Sequence, residues 1–318
     1  MSKSKKKNIN MLYGSKGAEK SFLGLPMCKN IDKLDADIAI IGAPGASPYK
    51  SVGPYCKDAP AAIRRTIAGY AGAIGHHDFD LGGPLLGDGS KKVVDCGNLK
   101  FDKKDAAANR ECIKSAIKTI VDKGAVPIVI GGDDSIPIPV FQALEGRGPY
   151  TILQIDAHID WRDESEGERF GLSSTMRRAS EMPHIARIVQ TGQRAVGSAR
   201  PGDYDDAVAW GAKFFIARDV NTKGIQPVLR AIPKGSQVLI SLDVDAFDPS
   251  IAPGVLARAP GGLDYWQVVN LIHGVAAKAT IAGFNIIEMV PDQDIDDLTA
   301  LLSARTICNV IGALCRQT

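Results

Sequence analysis

Val238-Leu239-Ile240-Ser241-Leu242-Asp243-Val244-Asp245 is an apolar run that ends in two carboxylates. Two further segments repeat the arrangement: Ile128-Val129-Ile130-Gly131-Gly132-Asp133-Asp134 and Ile152-Leu153-Gln154-Ile155-Asp156-Ala157-His158-Ile159-Asp160. Runs this rich in Ile and Val read as strands buried in a parallel sheet. Charge at the end of a buried strand is costly unless something pairs with it. The spacing supplies a reason for it. Asp156, His158 and Asp160 alternate, as do Asp243 and Asp245, and alternate side chains of extended chain share one side. These ligand-type groups can therefore converge at the carboxyl edge of a sheet, where open α/β folds keep their sites. Carboxylates with one imidazole suit a pair of divalent metals.

Outward from these runs, strand and helix patterns alternate. Strands are expected near 36–44, 92–101, 127–131, 151–156, 186–196, 213–217, 237–243 and 281–288. Helices are expected near 60–70, 105–123, 136–145, 223–232, 265–278 and 296–314. In 105–123, Ile113, Ala116, Ile117, Ile120 and Val121 form one stripe, and Gly124 ends it. Such alternation predicts a single three-layer α/β/α domain with a mostly parallel sheet of about eight strands. Residues 1–34 read as an irregular N-terminal extension and 35–318 as the domain.

The chain has 318 residues, 45% hydrophobic and 23% charged, enough for a large core. A net charge of +2 gives no reason to expect a nucleic-acid partner. The basic run from Lys3 to Lys7 reads as a solvated tail, and no apolar region follows it to make a secretory signal. No stretch was expected to reach the ~18 to 20 apolar residues of a membrane helix. The cysteines at 28, 56, 96, 112, 308 and 315 form no C-x-x-C pair, so reduced thiols and a cytoplasmic location are expected.

Of Asp133 and Asp134, one is expected to cap the helix before Ile136-Pro137 and the other to bind metal. Glu288 ends the strand Phe284-Asn285-Ile286-Ile287 and would face the same crevice, where it can pair with a cation. Trp161 follows Asp160 and reads either as core or as a wall that stacks on a planar cation. His76-His77 reads as a loop pair or oligomer contact before a general base, and His184 and His273 as structural. Asp163, Glu164, Glu166 and Glu168 either favour a cationic substrate or are solvated surface.

Together these residues resemble the ureohydrolase family of arginases, agmatinases and other guanidino-compound hydrolases. Gly131-Gly132-Asp133-Asp134-Ser135 is similar to the family's first ligand motif. Asp156-Ala157-His158-Ile159-Asp160 matches DAHxD, and Ser241 to Pro249 matches SxDxDxxDP. Gly42-Ala43-Pro44, Ala59 to Arg64, Pro260-Gly261-Gly262-Leu263 and Glu288 fit the remaining segments, so the resemblance spans roughly 36–315. It implies that Asp134, Asp156, Asp160 and Asp243 bind one divalent ion. Asp156, His158, Asp243 and Asp245 would bind the other, with Asp156 and Asp243 bridging. Trp161 is a further candidate substrate contact from its place after Asp160 alone, while the resemblance assigns catalysis to Asp160 and Glu288 and the guanidinium contact to Glu288. Trimers or hexamers, homo- or heteromeric, are implied in the same way.

Two positions depart from the family. Asp134 stands where the family usually has His, which replaces a neutral nitrogen ligand by an anionic oxygen. Manganese suits such oxygen ligands, and nickel is the alternative, because similar relatives acting on guanidine and biguanides use it. Aligning on Arg177-Arg178 puts Leu172 where the family carries a proton-shuttling His. The pattern resembles an agmatinase-like branch close to biguanide hydrolases. It leaves agmatine, guanidino acids, guanidine and biguanides as candidate substrates, with arginine disfavoured. Two rival readings are a catalytically silent subunit of a heteromeric hydrolase and a single-zinc deacetylase using His76-His77. The near-complete ligand set argues against the first, and the Asp243/Asp245 cluster with Glu288 against the second.

Overall fold

The computed structural model describes residues 12, 13 and 17–317; the basic run Lys3–Lys7 lies outside them. The apolar runs form eight strands: β1 Ile38–Ala43, β2 Val93–Asn98, β3 Val126–Gly131, β4 Tyr150–Ile155, β5 Ile185–Thr191, β6 Lys213–Phe215, β7 Gln237–Asp243 and β8 Thr280–Ile287. They make one sheet in the order β2-β1-β3-β8-β7-β4-β5-β6, and each neighbouring pair is parallel. The expectation of a mostly parallel sheet thus becomes an entirely parallel one.

Alternation along the strands builds the layers. Ile38 and Ile40 face one core, with Ile128, Ile130, Ile240 and Leu242. Helices α1 Ala59–Ile67, α8 Tyr265–Ala276 and α9 Leu298–Arg316 cover that face, contributing Ile63, Leu271 and Ile307. Ala39, Ile41 and Val129 face the other core, with Ile113 and Ile117 of α2 Ala106–Asp122 and Val140 of α3 Pro137–Gln142. Helix α2 is capped by Asp105, whose side chain accepts from Ala108 N–H. A capping box of Asp264 and Gln267 starts α8.

Helix α9 is 19 residues long and apolar enough by length and hydropathy to cross a membrane, which corrects the expectation that no stretch reaches that mark. Its apolar window is 78% buried within the protein, as suits a core helix. Four short helices complete the fold: α4 Thr175–Ser180, α5 Pro201–Trp210, α6 Ala217–Lys223 and α7 Gln226–Ala231. Sequence periodicity merged part of α6 with α7 and passed over α4 and α5, which are too short or too polar to show an apolar stripe. Before β1, turns of 3-10 helix at Ala18–Lys20, Phe22–Gly24 and Ile31–Lys33 make the extension more regular than expected. Phe22, Leu23 and Leu25 enter the first core, and Phe22 N–H donates to Asp95 at 2.7 Å.

Candidate metal centre

Strands β3, β8, β7 and β4 are neighbours, and each delivers a carboxylate at its carboxyl end. Ile155 pairs with Leu242, and Asp243 with Ile287. Asp156, Asp243 and Glu288 therefore leave adjacent strands side by side. After β3 the chain turns through Gly132, where a Cβ would lie 2.0 Å from the Pro44 carbonyl oxygen, so only glycine fits. Asp133 then accepts the N–H groups of Ser135 at 3.2 Å and Ala46 at 3.3 Å, fixing the turn before α3. The cap expected from this pair is not formed, since Ile136 stands at the start of α3 with no side-chain cap; Asp133 instead secures the turn before it, and Asp134 lines the cavity.

Ligand atoms of Asp134, Asp156 and Asp243 lie within 4.8 Å of one another, and so do those of Asp156, His158 and Asp245. Asp156 belongs to both sets. Backbone amides hold the cluster: His158 N–H donates to Asp156 at 2.6 Å, Asp245 N–H to Asp243 at 2.7 Å and Ala157 N–H to Asp245 at 3.1 Å. Asp160 sits beside Asp156, because the Gln154 amide donates to both, at 2.7 Å to Asp156 and 2.6 Å to Asp160. Asp160 and Glu288 both have left-handed backbone, with φ of 44° and 67°. Such conformations are uncommon outside glycine and cluster at functional sites. The first two amides available to Asp160, those of Met176 and Arg177 in α4, donate to its carbonyl and hold it there.

Asp134, Asp156, Asp160, Asp243, Asp245 and Glu288 are all buried. Burial, together with Asp160, Asp156 and Glu288, pushes the Asp134 carboxyl well above the usual range. Burial and neighbouring carboxylates push Asp160 and Asp243 the same way. No donor reaches either oxygen of Asp134. An orphaned carboxylate among other carboxylates is a costly arrangement without cations. The donor set, oxygen-rich with one imidazole, fits divalent metals, and the unpartnered Asp134 oxygens are the observation that supports it.

Asp134, His158, Asp160, Asp243, Asp245 and Glu288 line a cavity of about 160 Å³ together with Tyr55, Ile159, Arg162, Leu172, Ser173, Asp203, Val255 and Leu256. Glu288 accepts from Asp134 N–H at 2.8 Å and from the Tyr55 hydroxyl at 2.9 and 2.7 Å. Burial raises its pKa to about 8, against the pull of those bonds. Leu172 does face the cavity, as the alignment on Arg177-Arg178 required.

Trp161 is corrected. It is 1% exposed and packs in the core with Met176 and Phe141, its ring 5.9 Å from that of Trp210, so it does not line the cavity. An adjacent position in loop sequence carried no information about side-chain direction. His76 and His77 line a separate apolar cavity of about 690 Å³, and His184 bonds to the Phe141 carbonyl at 2.9 Å. Their placement removes the tandem-histidine deacetylase reading. The acidic stretch also points elsewhere: Asp163 pairs with Arg178 and Arg169, and Glu166 bonds Ser51. Asp248, the last acid of SxDxDxxDP, is structural. It accepts from Gly261 and Gly262 N–H at 2.7 and 3.1 Å and pins the Pro260 loop.

Sequence reasoning missed Tyr55, Gln154, Gln190 and Arg194. Gln190 donates to Gln154 and to the Ile159 carbonyl at 2.9 Å, which orients the Gln154 amide toward the acids. Arg194 donates to the carbonyls of Asp245 at 2.7 Å and Phe247 at 3.1 Å, bracing the β7 loop. A polar residue inside an apolar strand was the available signal for Gln154 and Gln190.

The sequence model of the Arginase family matches residues 36–312. Agmatinase of Pyrococcus horikoshii is 29% identical over 293 residues, covering 90% of this chain and 95% of that one. Guanidinobutyrase of Pseudomonas aeruginosa is 28% identical over 308 residues, covering 94% and 93%. The crystal structure of agmatine ureohydrolase of Thermoplasma volcanium superposes with a TM-score of 0.75 at 27% identity, over 90% of this chain and 94% of that one. The acids at the ends of β3, β4 and β7 thus sit in a chain that belongs to the arginase family, a hydrolase of amidino C–N bonds.

Proposed function

We propose that this chain hydrolyses a C–N bond of a compact guanidino-type cation, releasing urea or a urea derivative and ammonia or an amine. The observation that carries the reading is Glu288: a buried carboxylate faces the same small cavity as both ligand clusters. A cavity of about 160 Å³ suits a head group of few atoms, since drug-sized ligands occupy roughly 300 Å³ or more. The agmatinase and guanidinobutyrase relatives support a guanidino substrate.

Asp134, Asp156, Asp160 and Asp243 would hold one divalent ion, and Asp156, His158, Asp243 and Asp245 the second; manganese and nickel both suit the set. When bound, the ions supply positive charge and lower the pKa of a water. Glu288 binds the guanidinium and orients its planar carbon; a cation beside it favours the ionised carboxylate that burial otherwise resists. Asp160, held by Gln154, keeps a carboxylate at the reacting centre. Water supplies the oxygen of the new C–O bond, and its protons leave on the departing nitrogen. Leu172, Val255 and Leu256 wall the cavity with apolar surface.

The test is a screen of purified protein loaded separately with manganese and with nickel. Guanidine, a biguanide, agmatine, guanidinobutyrate and arginine are offered, and urea, guanylurea and amine are measured. Turnover of a compact guanidine or biguanide is expected. Exclusive turnover of arginine, or none of any guanidino compound with both metals, would overturn the proposal.

A further inference from the structure

We infer that Tyr55 is a second substrate-recognising group that forms, with Glu288, one joint acceptor for a guanidinium head; the inference rests on the guanidino reading above. Its hydroxyl lies 2.9 and 2.7 Å from the two Glu288 oxygens, and Tyr55 lines the cavity itself. A phenol has one proton and also accepts. Donating that proton to Glu288 leaves its oxygen lone pairs available. Burial and the Glu288 charge drive the phenol pKa upward, so the proton stays on Tyr55.

Glu288 has already given up part of its capacity. Oε1 accepts from Asp134 N–H at 2.8 Å, and the Cys56 thiol lies 3.9 Å from Oε2. A guanidinium presents parallel N–H groups in a fixed fork and needs two acceptors to match it. Glu288 Oε2 and the Tyr55 oxygen are adjacent and supply them. The Tyr55 backbone is set for this: its N–H donates to the Gly53 carbonyl at 3.0 Å, and Cys56 beside it is buried, its carbonyl accepting from Ala59 N–H at 2.9 Å. Since the ring occupies one side of Glu288, the nitrogen turned toward Tyr55 has no room for a large substituent. Substrates alkylated on one nitrogen bind with that group turned away.

The test compares wild type, Tyr55→Phe and Glu288→Gln, each loaded separately with manganese and with nickel. Tyr55→Phe keeps the ring and removes only the hydroxyl. Kinetics on the best substrate are paired with equilibrium dialysis of 2-aminoimidazolinium, a cyclic guanidinium that reports binding without turnover. Tyr55→Phe should raise KM and the dialysis Kd about threefold to tenfold, with kcat within about twofold and metal content unchanged. Wild-type affinity for the cyclic cation in Tyr55→Phe would overturn the role of Tyr55, and so would loss of metal from that variant, which marks a structural part. If wild type binds the cation with this dependence on Tyr55 but hydrolyses no guanidino compound, the inference stands and the proposed function falls. If wild type does not bind it, the inference falls, while the proposed function is decided by the turnover screen.

Discussion

His158 Nδ1 lies 3.1 Å from Asp245 Oδ2, so imidazole and carboxylate hold each other. Burial lowers the His158 pKa, but the contacts to Asp156 and Asp245 outweigh it and push the value up to about 12. Burial also opposes ionisation of Asp245, yet His158 keeps that carboxyl below its ordinary value. At neutral pH His158 therefore holds its proton beside these acids. Burial, with the neighbouring acids, pushes Asp134, Asp160 and Asp243 above the usual carboxylate range.

Metal loading has to displace those protons, because His ligates as the neutral ring and acids as carboxylates. The sign follows: a raised pKa favours the protonated form that a ligand must give up, so binding releases protons and affinity rises with pH. Calorimetric titration with manganese in buffers of different ionisation enthalpy at pH 7 should show net proton release. Proton uptake, or an affinity independent of pH between 6 and 8, would contradict this account.

Gln154 gives the second prediction. Its amide reaches Asp156 and Asp160, and Gln190 fixes its orientation. Groups that orient ligands are worth about tenfold to a hundredfold in metal affinity. Gln154→Leu keeps a similar volume and leaves both acids without that donor. Its manganese Kd, measured by competition with a fluorescent chelator, should rise by about that factor while the fold is retained. An unchanged Kd would make Gln154 a packing residue.

The sheet was legible in the sequence because parallel strands buried on both faces announce themselves as continuous Ile and Val runs. The candidate ligands were legible as acids and one imidazole at the ends of apolar runs. Asp245, however, lies in a 3-10 turn at Val244–Ala246 and Asp160 is left-handed, so turns rather than extended alternation bring them together. Tyr55 was not legible, since the loop that carries it meets Glu288 across 233 positions of chain. Trp161 misled for the same reason in reverse: it is next to a ligand in sequence, but its side chain turns into the core beside Trp210. Short helices such as α5 failed to register because Ala207 is its only buried residue, which leaves no stripe to read.

Arg64 and Asp95 supply a stability prediction. The guanidinium makes a two-pronged contact at 2.7 and 2.8 Å, and Asp95 is fully buried. Asp95 also accepts Phe22 N–H, so one carboxylate ties α1, β2 and the extension together. Removing one partner of a buried pair strands the other, at a cost of about 3–5 kcal/mol. Asp95→Ala should lower the unfolding free energy in urea by that amount. A loss under about 1 kcal/mol would show that Arg64 finds other partners.

Glu288→Gln keeps shape and removes charge. A charge-assisted contact to a cation is worth about 1.5–3 kcal/mol, or about tenfold to a hundredfold in kcat/KM. Metal content should be unchanged by elemental analysis, because Glu288 lies outside both ligand clusters. Loss of metal in this variant would reassign Glu288 from substrate contact to ligand.

Leu172 yields the last prediction. It lines the cavity, and of the histidines only His158 does so, held there by Asp156 and Asp245. An apolar side chain cannot carry a proton, so the departing nitrogen is protonated by solvent or by another acid. Leaving groups of low basicity suffer least from that arrangement. Free guanidine loses ammonia, and a biguanide loses an amine from a conjugated framework, whereas agmatine and arginine lose a basic alkylamine. The wild-type enzyme should therefore favour the compact substrates. Leu172→His restores an acid at the cavity wall and should speed the alkylguanidines more than guanidine itself, by about tenfold or more in the ratio of kcat values. The ratio is the informative quantity, because a general change in packing or metal affinity moves both substrates alike. An equal effect on agmatine and guanidine would show that proton delivery at position 172 does not set the preference.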